Sequence, residues 1–189
     1  YYQMKDTAPD YRMFELLCHE NAEPINQNRV AKISGMAMET FKRHFALFVE
    51  SGLVRLLTAW DSKPRRRITA HPKVFLSVPS LGYSFLSYKS LPPGSFAGHT
   101  VEGYVFQRLL SLAPGEDIFY VKNSLGKEVD FYLTRRKIAI ESKYAQHFRD
   151  DDFDFLISSS KELKLRSLVI TRDSWEPGQG LRAMPVVCL

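Results

Sequence analysis

The stretch from Glu128 to Lys143 constrains this chain more than any other. Asp130 and Glu141 stand eleven positions apart, and the residues between them, Phe131 to Ile140, read as strand, basic turn and strand. Two antiparallel strands joined by a tight turn bring their far ends together. Asp130 is therefore expected to face Glu141, with Lys143 two positions on and pointing to the same side. Two facing carboxylates suit a hard cation such as magnesium, which prefers oxygen ligands. A lysine beside that ion stabilises the charge that develops when a phosphodiester is attacked. The same spacing also suits a surface hairpin with solvated ends.

Glu141 directly follows the apolar Ile138-Ala139-Ile140, as expected where a core strand delivers a polar group to a site. Upstream, Gly98 to Leu110 reads as an amphipathic helix, with Val101, Val105 and Leu109 at four-residue spacing and Phe106 and Leu112 widening the stripe. Glu102 adjoins that stripe and is placed to point into the same site. It also reads as an ordinary first-turn acid favoured by the helix dipole.

The arrangement D…(D/E)-x-K resembles the PD-(D/E)XK nuclease-like superfamily. The resemblance extends further. Gly98 to Val105, Gly126 to Phe131 and Ile140 to Lys143 are similar to a C-terminal domain of unknown function found in many bacterial and archaeal AAA+ ATPases. Its helix G-x-x-x-E-x-x-V, strand g-x-E-V-D-F and strand I-E-x-K match Gly98, Glu102, Val105, Glu128, Asp130, Phe131, Glu141 and Lys143. Ser167 to Thr171 resembles the next core strand, and Ala183 to Leu189 the hydrophobic end. The resemblance implies a mixed sheet flanked by helices. It also implies a candidate catalytic set of Glu102, Asp130, Glu141 and Lys143, with magnesium or manganese held by Asp130 and Glu141.

In the N-terminal half, Tyr11 to Glu20, Asn26 to Ile33 and Glu39 to Val49 read as helices. Asn26 serves as a cap, Ser34-Gly35 as a turn and Gly52 as a stop. Phe41, Phe45, Phe48 and Val49 mark one face of the third helix. A strand from Leu53 to Trp60, the turn Asp61 to Pro64 and a second strand beginning at Arg65 complete a winged helix-turn-helix. Lys42, Arg43 and His44 are expected on the open side of the recognition helix, and Lys63, Arg65, Arg66 and Arg67 on the wing. These cations suit DNA phosphate, or a docking face for another domain. The implied ATPase family carries such a winged helix upstream of the nuclease-like domain. Pro72 to Leu81 resembles the family's junction segment, with Val78 and Ser80 where aspartate and glycine are usual.

Charge follows the same division. Residues 1–97 hold 13 Lys and Arg against 8 Asp and Glu, and residues 98–189 hold 13 of each. Pro92 to Ser95 reads as the linker, giving domains at 1–91 and 96–189. The chain opens on Tyr1 without methionine and reads as a piece of a longer protein. It contains no G-x-x-x-x-G-K-[ST], so if the protein is an ATPase, that activity is expected upstream of Tyr1. The five histidines lack zinc-site spacing, and no G-x-S-x-G elbow occurs. No run approaches the ~18 apolar residues of a membrane span. Cys18 and Cys188 read as buried free thiols of a cytoplasmic protein.

The expected fold is α/β (α+β), a winged helix followed by a nuclease-like domain. Three functions stay open. The first is a metal-dependent endonuclease domain acting on DNA beside an upstream ATPase domain of the same polypeptide. The second is a non-catalytic nucleic-acid- or protein-binding module that regulates the ATPase. The third is a winged-helix transcriptional regulator. Each is compatible with an oligomer.

Overall fold

The computed structural model describes residues 7–63, 70–86, 95–149 and 151–189. The chain is mixed α/β and divides into two compact units, Tyr1–Leu56 with His71–Pro92, and Leu57–Ala70 with Pro93–Leu189. Leu57–Ala70, inside the expected first domain, thus clusters with the second unit. The linker residues Pro92 to Gly94 lie outside the described residues, and Ser95 opens a helix.

The first unit begins with α1 (Ala8–His19), which has a proline in its first turn. In α2 (Gln27–Ser34) the Asn26 side chain accepts a hydrogen bond from the Arg29 N–H at 3.0 Å and so serves as the expected cap. Gly35, at φ 76°, closes that helix in a left-handed conformation. α3 (Met38–Glu50) buries Phe41 and Phe45, whose rings stack at 5.4 Å, while Phe48 and Val49 are half-buried. β1 (Val54–Leu57) pairs with β3 (Lys73–Leu76) in a two-stranded sheet, and α4 (Pro79–Phe85) follows. The Asn21 side chain accepts from the Leu76 N–H at 3.0 Å and ties the end of α1 to this sheet. The expected second wing strand, starting at Arg65, falls outside the described residues.

The expected strand Leu53 to Trp60 is broken at Thr58. Its tail, β2 (Ala59–Trp60), leaves the small sheet and pairs in parallel with Tyr120 and Val121. The Trp60 ring packs edge-on against Phe119 at 5.3 Å and Tyr132 at 5.0 Å. Aromatic packing thus adds to the backbone pairing that draws these residues into the second unit.

That unit is a six-stranded mixed sheet. Its strands are β2, β4 (Ile118–Lys122), β5 (Glu128–Leu133), β6 (Ile138–Lys143), β7 (Arg166–Thr171) and β8 (Arg182–Pro185), in that spatial order. The pairs β4–β5 and β5–β6 are antiparallel, and β6–β7 and β7–β8 are parallel. The hairpin read from sequence is present, with Phe131 opposite Ile140 and Leu133 opposite Ile138. Lys137, at φ 51°, completes its turn.

Helices cover both faces. On one, α5 (Ser95–Leu112) stacks Phe106 on Phe131 with ring centres 5.9 Å apart. On the other, Phe153 and Leu156 of the α6 region (Asp154–Leu163) pack with Val129, Ala139 and Val169. Among the described residues no helix is long and apolar enough to cross a membrane.

Candidate metal centre

The register of β4 with β5 shifts between Phe119–Tyr132 and Val121–Val129. One residue, Tyr120, thereby stands opposite two, Asp130 and Phe131, which is a β-bulge. The bulge changes which way the strand presents its side chains. Beyond it Val129 joins Ala139 in the core beneath α6, while Phe131 meets Phe106 of α5. Asp130 turns toward β6, where its Oδ2 accepts from both the N–H and the Oγ of Ser142, each at 2.7 Å.

Three carboxylates converge here. Ligand oxygens of Glu102, Glu128 and Asp130 all lie within 4.8 Å of one another. Glu102 comes from the buried side of α5 and Glu128 from the start of β5. Glu102 and Asp130 are each only 8% exposed. Lys122 Nζ lies 3.5 Å from Glu128 Oε2 and offsets part of the negative charge. Clustered carboxylate oxygens are the donor set that magnesium and manganese prefer, whereas soft metals favour sulfur.

The expected set of four is distributed as follows. Glu102 and Asp130 belong to the acid cluster. Glu141 is not one of its three members. It stands in register with Val169, and alternation along β6 turns it and Lys143 away from Ser142, toward the α6 side. Lys143 Nζ lies 3.5 Å from Asp152 Oδ1, just ahead of α6. Burial pushes the Asp152 carboxyl up, but the Arg149 N–H at 2.9 Å, the Lys143 ammonium and the Arg149 guanidinium outweigh it and hold the group below its ordinary value. Sequence reasoning gave Glu128 no ligand role. The signal was in its i, i+2 spacing from Asp130.

Of the expected nucleic-acid contacts, Lys42 and Arg43 are exposed on α3, and Lys63 is exposed with its N–H donated to Asp61 Oδ1 at 2.8 Å. Arg65, Arg66 and Arg67 lie outside the described residues. His44 differs from expectation, because it turns inward and its Nδ1 pairs with Asp10 of α1. Cys18 is buried as expected, but Cys188 is exposed.

Residues 97–189 match DUF4143, a domain of unknown function. Residues 2–91 match another, DUF8612. The whole acid cluster, with Ser142 and Lys143, falls inside the DUF4143 match. Two uncharacterised proteins, from Mycobacterium bovis and Mycobacterium tuberculosis, are each 22% identical over 125 residues, 65% of this chain. The matched region spans 28% of each relative's length. No solved structure matches the chain.

Proposed function

We propose that this chain is the C-terminal part of an AAA+ superfamily ATPase. On this reading its second unit is a PD-(D/E)XK nuclease-like module that binds a divalent cation between Glu102, Glu128 and Asp130 and acts on DNA in the cytoplasm. The observation that carries the reading is the convergence of those three carboxylates within 4.8 Å on the α5 face. The DUF4143 match supports the ATPase context, together with a match that occupies a small share of longer relatives. ATP binding belongs to the part of the protein outside this chain.

Bound magnesium or manganese would polarise a phosphodiester and make a coordinated water more acidic. The chain's own residues do the rest. Glu102 supplies a ligand from a helix whose stripe is anchored in the core, so its position is fixed by packing. Glu128 and Asp130, two positions apart on β5, supply two more because the bulge turns them to the α5 face. Ser142 positions the Asp130 carboxylate through paired hydrogen bonds at 2.7 Å. In the first unit, α2, the Gly35 turn and α3 form the helix-turn-helix of a proposed winged helix, with Lys42 and Arg43 free to meet phosphate.

One observation favours a second reading, a non-catalytic module that binds nucleic acid or protein and regulates the ATPase. Lys143, the lysine assigned to the reacting phosphate, is committed to Asp152. Plasmid cleavage by the protein with its upstream ATPase region, in magnesium or manganese and with or without ATP, separates the two. Nuclease function gives cleavage that Asp130→Asn abolishes. Absence of cleavage alongside intact cation binding selects the regulatory module.

A further inference from the structure

We propose that a basic groove at the start of β6, β7 and β8 binds the phosphate backbone of a nucleic-acid strand. The groove has a volume of about 570 Å³ and is lined by Ile138, Leu168, Arg166 and Arg182 among others. Ile138 stands opposite Arg166, and Leu168 opposite Arg182. In parallel pairs, partners share a face and alternate residues return to it. These four side chains therefore lie together, as an apolar floor bearing two exposed guanidiniums.

Two more cations neighbour its lining residues along the backbone. The Lys137 carbonyl accepts from the Arg166 N–H at 2.9 Å, and Lys164 lies two residues before Arg166. Both lysines are exposed and held at positive φ, 51° and 54°. Among the described residues none of Lys137, Lys164, Arg166 and Arg182 is in an ion pair. Arg166 donates to the Arg136 carbonyl at 3.4 Å, which leaves its charge uncompensated. The neighbouring Arg135 and Arg136, in contrast, are matched with Asp117 and Glu116. Residues 98–189 carry equal numbers of acids and bases, so these four cations are a local segregation and not a general excess.

A phosphate backbone fits this surface better than a stacked base. Among the described residues no aromatic ring lines the groove, so they offer no platform for base stacking. Guanidinium forks match phosphate oxygens in pairs. Arg166 and Arg182 start neighbouring strands but stand two residues out of register, since Arg182 is opposite Leu168, so their two forks reach separate phosphates. The wall at Gly180 is open, since a Cβ there would meet nothing within 4 Å. From Ile138, β6 runs four residues to Ser142, about 13 Å, so a strand in the groove lies within a few nucleotides of the acid cluster. The assignment does not depend on a cation in that cluster.

The test is fluorescence anisotropy with the full chain, labelled single-stranded and duplex DNA, chelator and several KCl concentrations. Arg166→Gln with Arg182→Gln should weaken binding. It should lower the slope of log affinity against log salt by about 1.8 for duplex and about 1.4 for single strands. Lys137→Gln with Lys164→Gln should act in the same direction, and circular dichroism establishes that each protein is folded. Native affinity and slope in both folded variants would overturn the proposal. So would loss of poly-glutamate binding with DNA binding unchanged, which would assign the groove to an acidic protein. Manganese binding, measured separately, decides the acid cluster and leaves this result untouched.

Discussion

Ser142→Ala should weaken divalent-cation binding by about tenfold while leaving the protein folded. Asp130 Oδ2 is occupied by two bonds from Ser142, one from the backbone and one from the hydroxyl, both at 2.7 Å. The other oxygen is then free to serve an ion. Removing the hydroxyl leaves the backbone bond, so the carboxylate keeps its place but can swing about it. A hydrogen bond to a charged group contributes about 1.5–3 kcal/mol, and partners of metal ligands typically account for about 10- to 100-fold in affinity. The surviving backbone bond puts the expected loss near the lower limit of both ranges. Calorimetric titration with manganese measures it, and Ser142→Thr, which restores a hydroxyl, should recover much of the affinity. Native affinity in a folded Ser142→Ala protein would refute the positioning role. Equal loss in the alanine and threonine variants would show that bulk at this position matters, not the hydrogen bond.

Three other outcomes follow from the packing and charges. Cys188 should react with a thiol reagent in the native protein and Cys18 only after denaturation, because burial and the nearby Glu15 push the Cys18 thiol up to about 12; two rapidly reacting thiols in the native state would contradict this. Asp152 should contribute stability above the ordinary carboxylate pKa of ~3.9, and lose it as pH falls through its lowered folded value. The stability difference between native protein and Asp152→Asn should thus be flat near neutrality and shrink in acid, and a difference that grew in acid would reverse the sign. Trp60→Ala, which removes contacts with Phe119 and Tyr132, should destabilise the second unit by about 3 kcal/mol, the lower part of the range for large aromatic truncations; thermal unfolding followed by circular dichroism reads it.

Much of the local structure was legible because its causes are local. The Asn26 cap, the Gly35 stop, the spacing of Phe41 and Phe45 and the strand–turn–strand from Glu128 to Lys143 each depend on near neighbours in sequence. The site was legible in part. Glu102 and Asp130 lie together as the apolar stripe and the strand pattern suggested, but the bulge at Asp130–Phe131 was not readable. Strict alternation carries no mark of an inserted residue, and one such residue reverses the face of everything before it. For that reason Glu128 belongs to the cluster, and Asp130 bonds to Ser142. The commitment of Lys143 to Asp152 is likewise not legible in the sequence, because it depends on where the chain between β6 and α6 returns. The departure of Ala59 and Trp60 to the larger sheet was equally hidden, since their partners Tyr120 and Val121 lie some sixty residues away.

Manganese titration of the native chain against Glu102→Gln, Glu128→Gln and Asp130→Asn, followed by electron paramagnetic resonance, tests the central claim most directly. The three-carboxylate site requires one bound ion per native chain, with binding markedly weakened in each folded variant. No binding by the native chain, or native binding in all three variants, would contradict it.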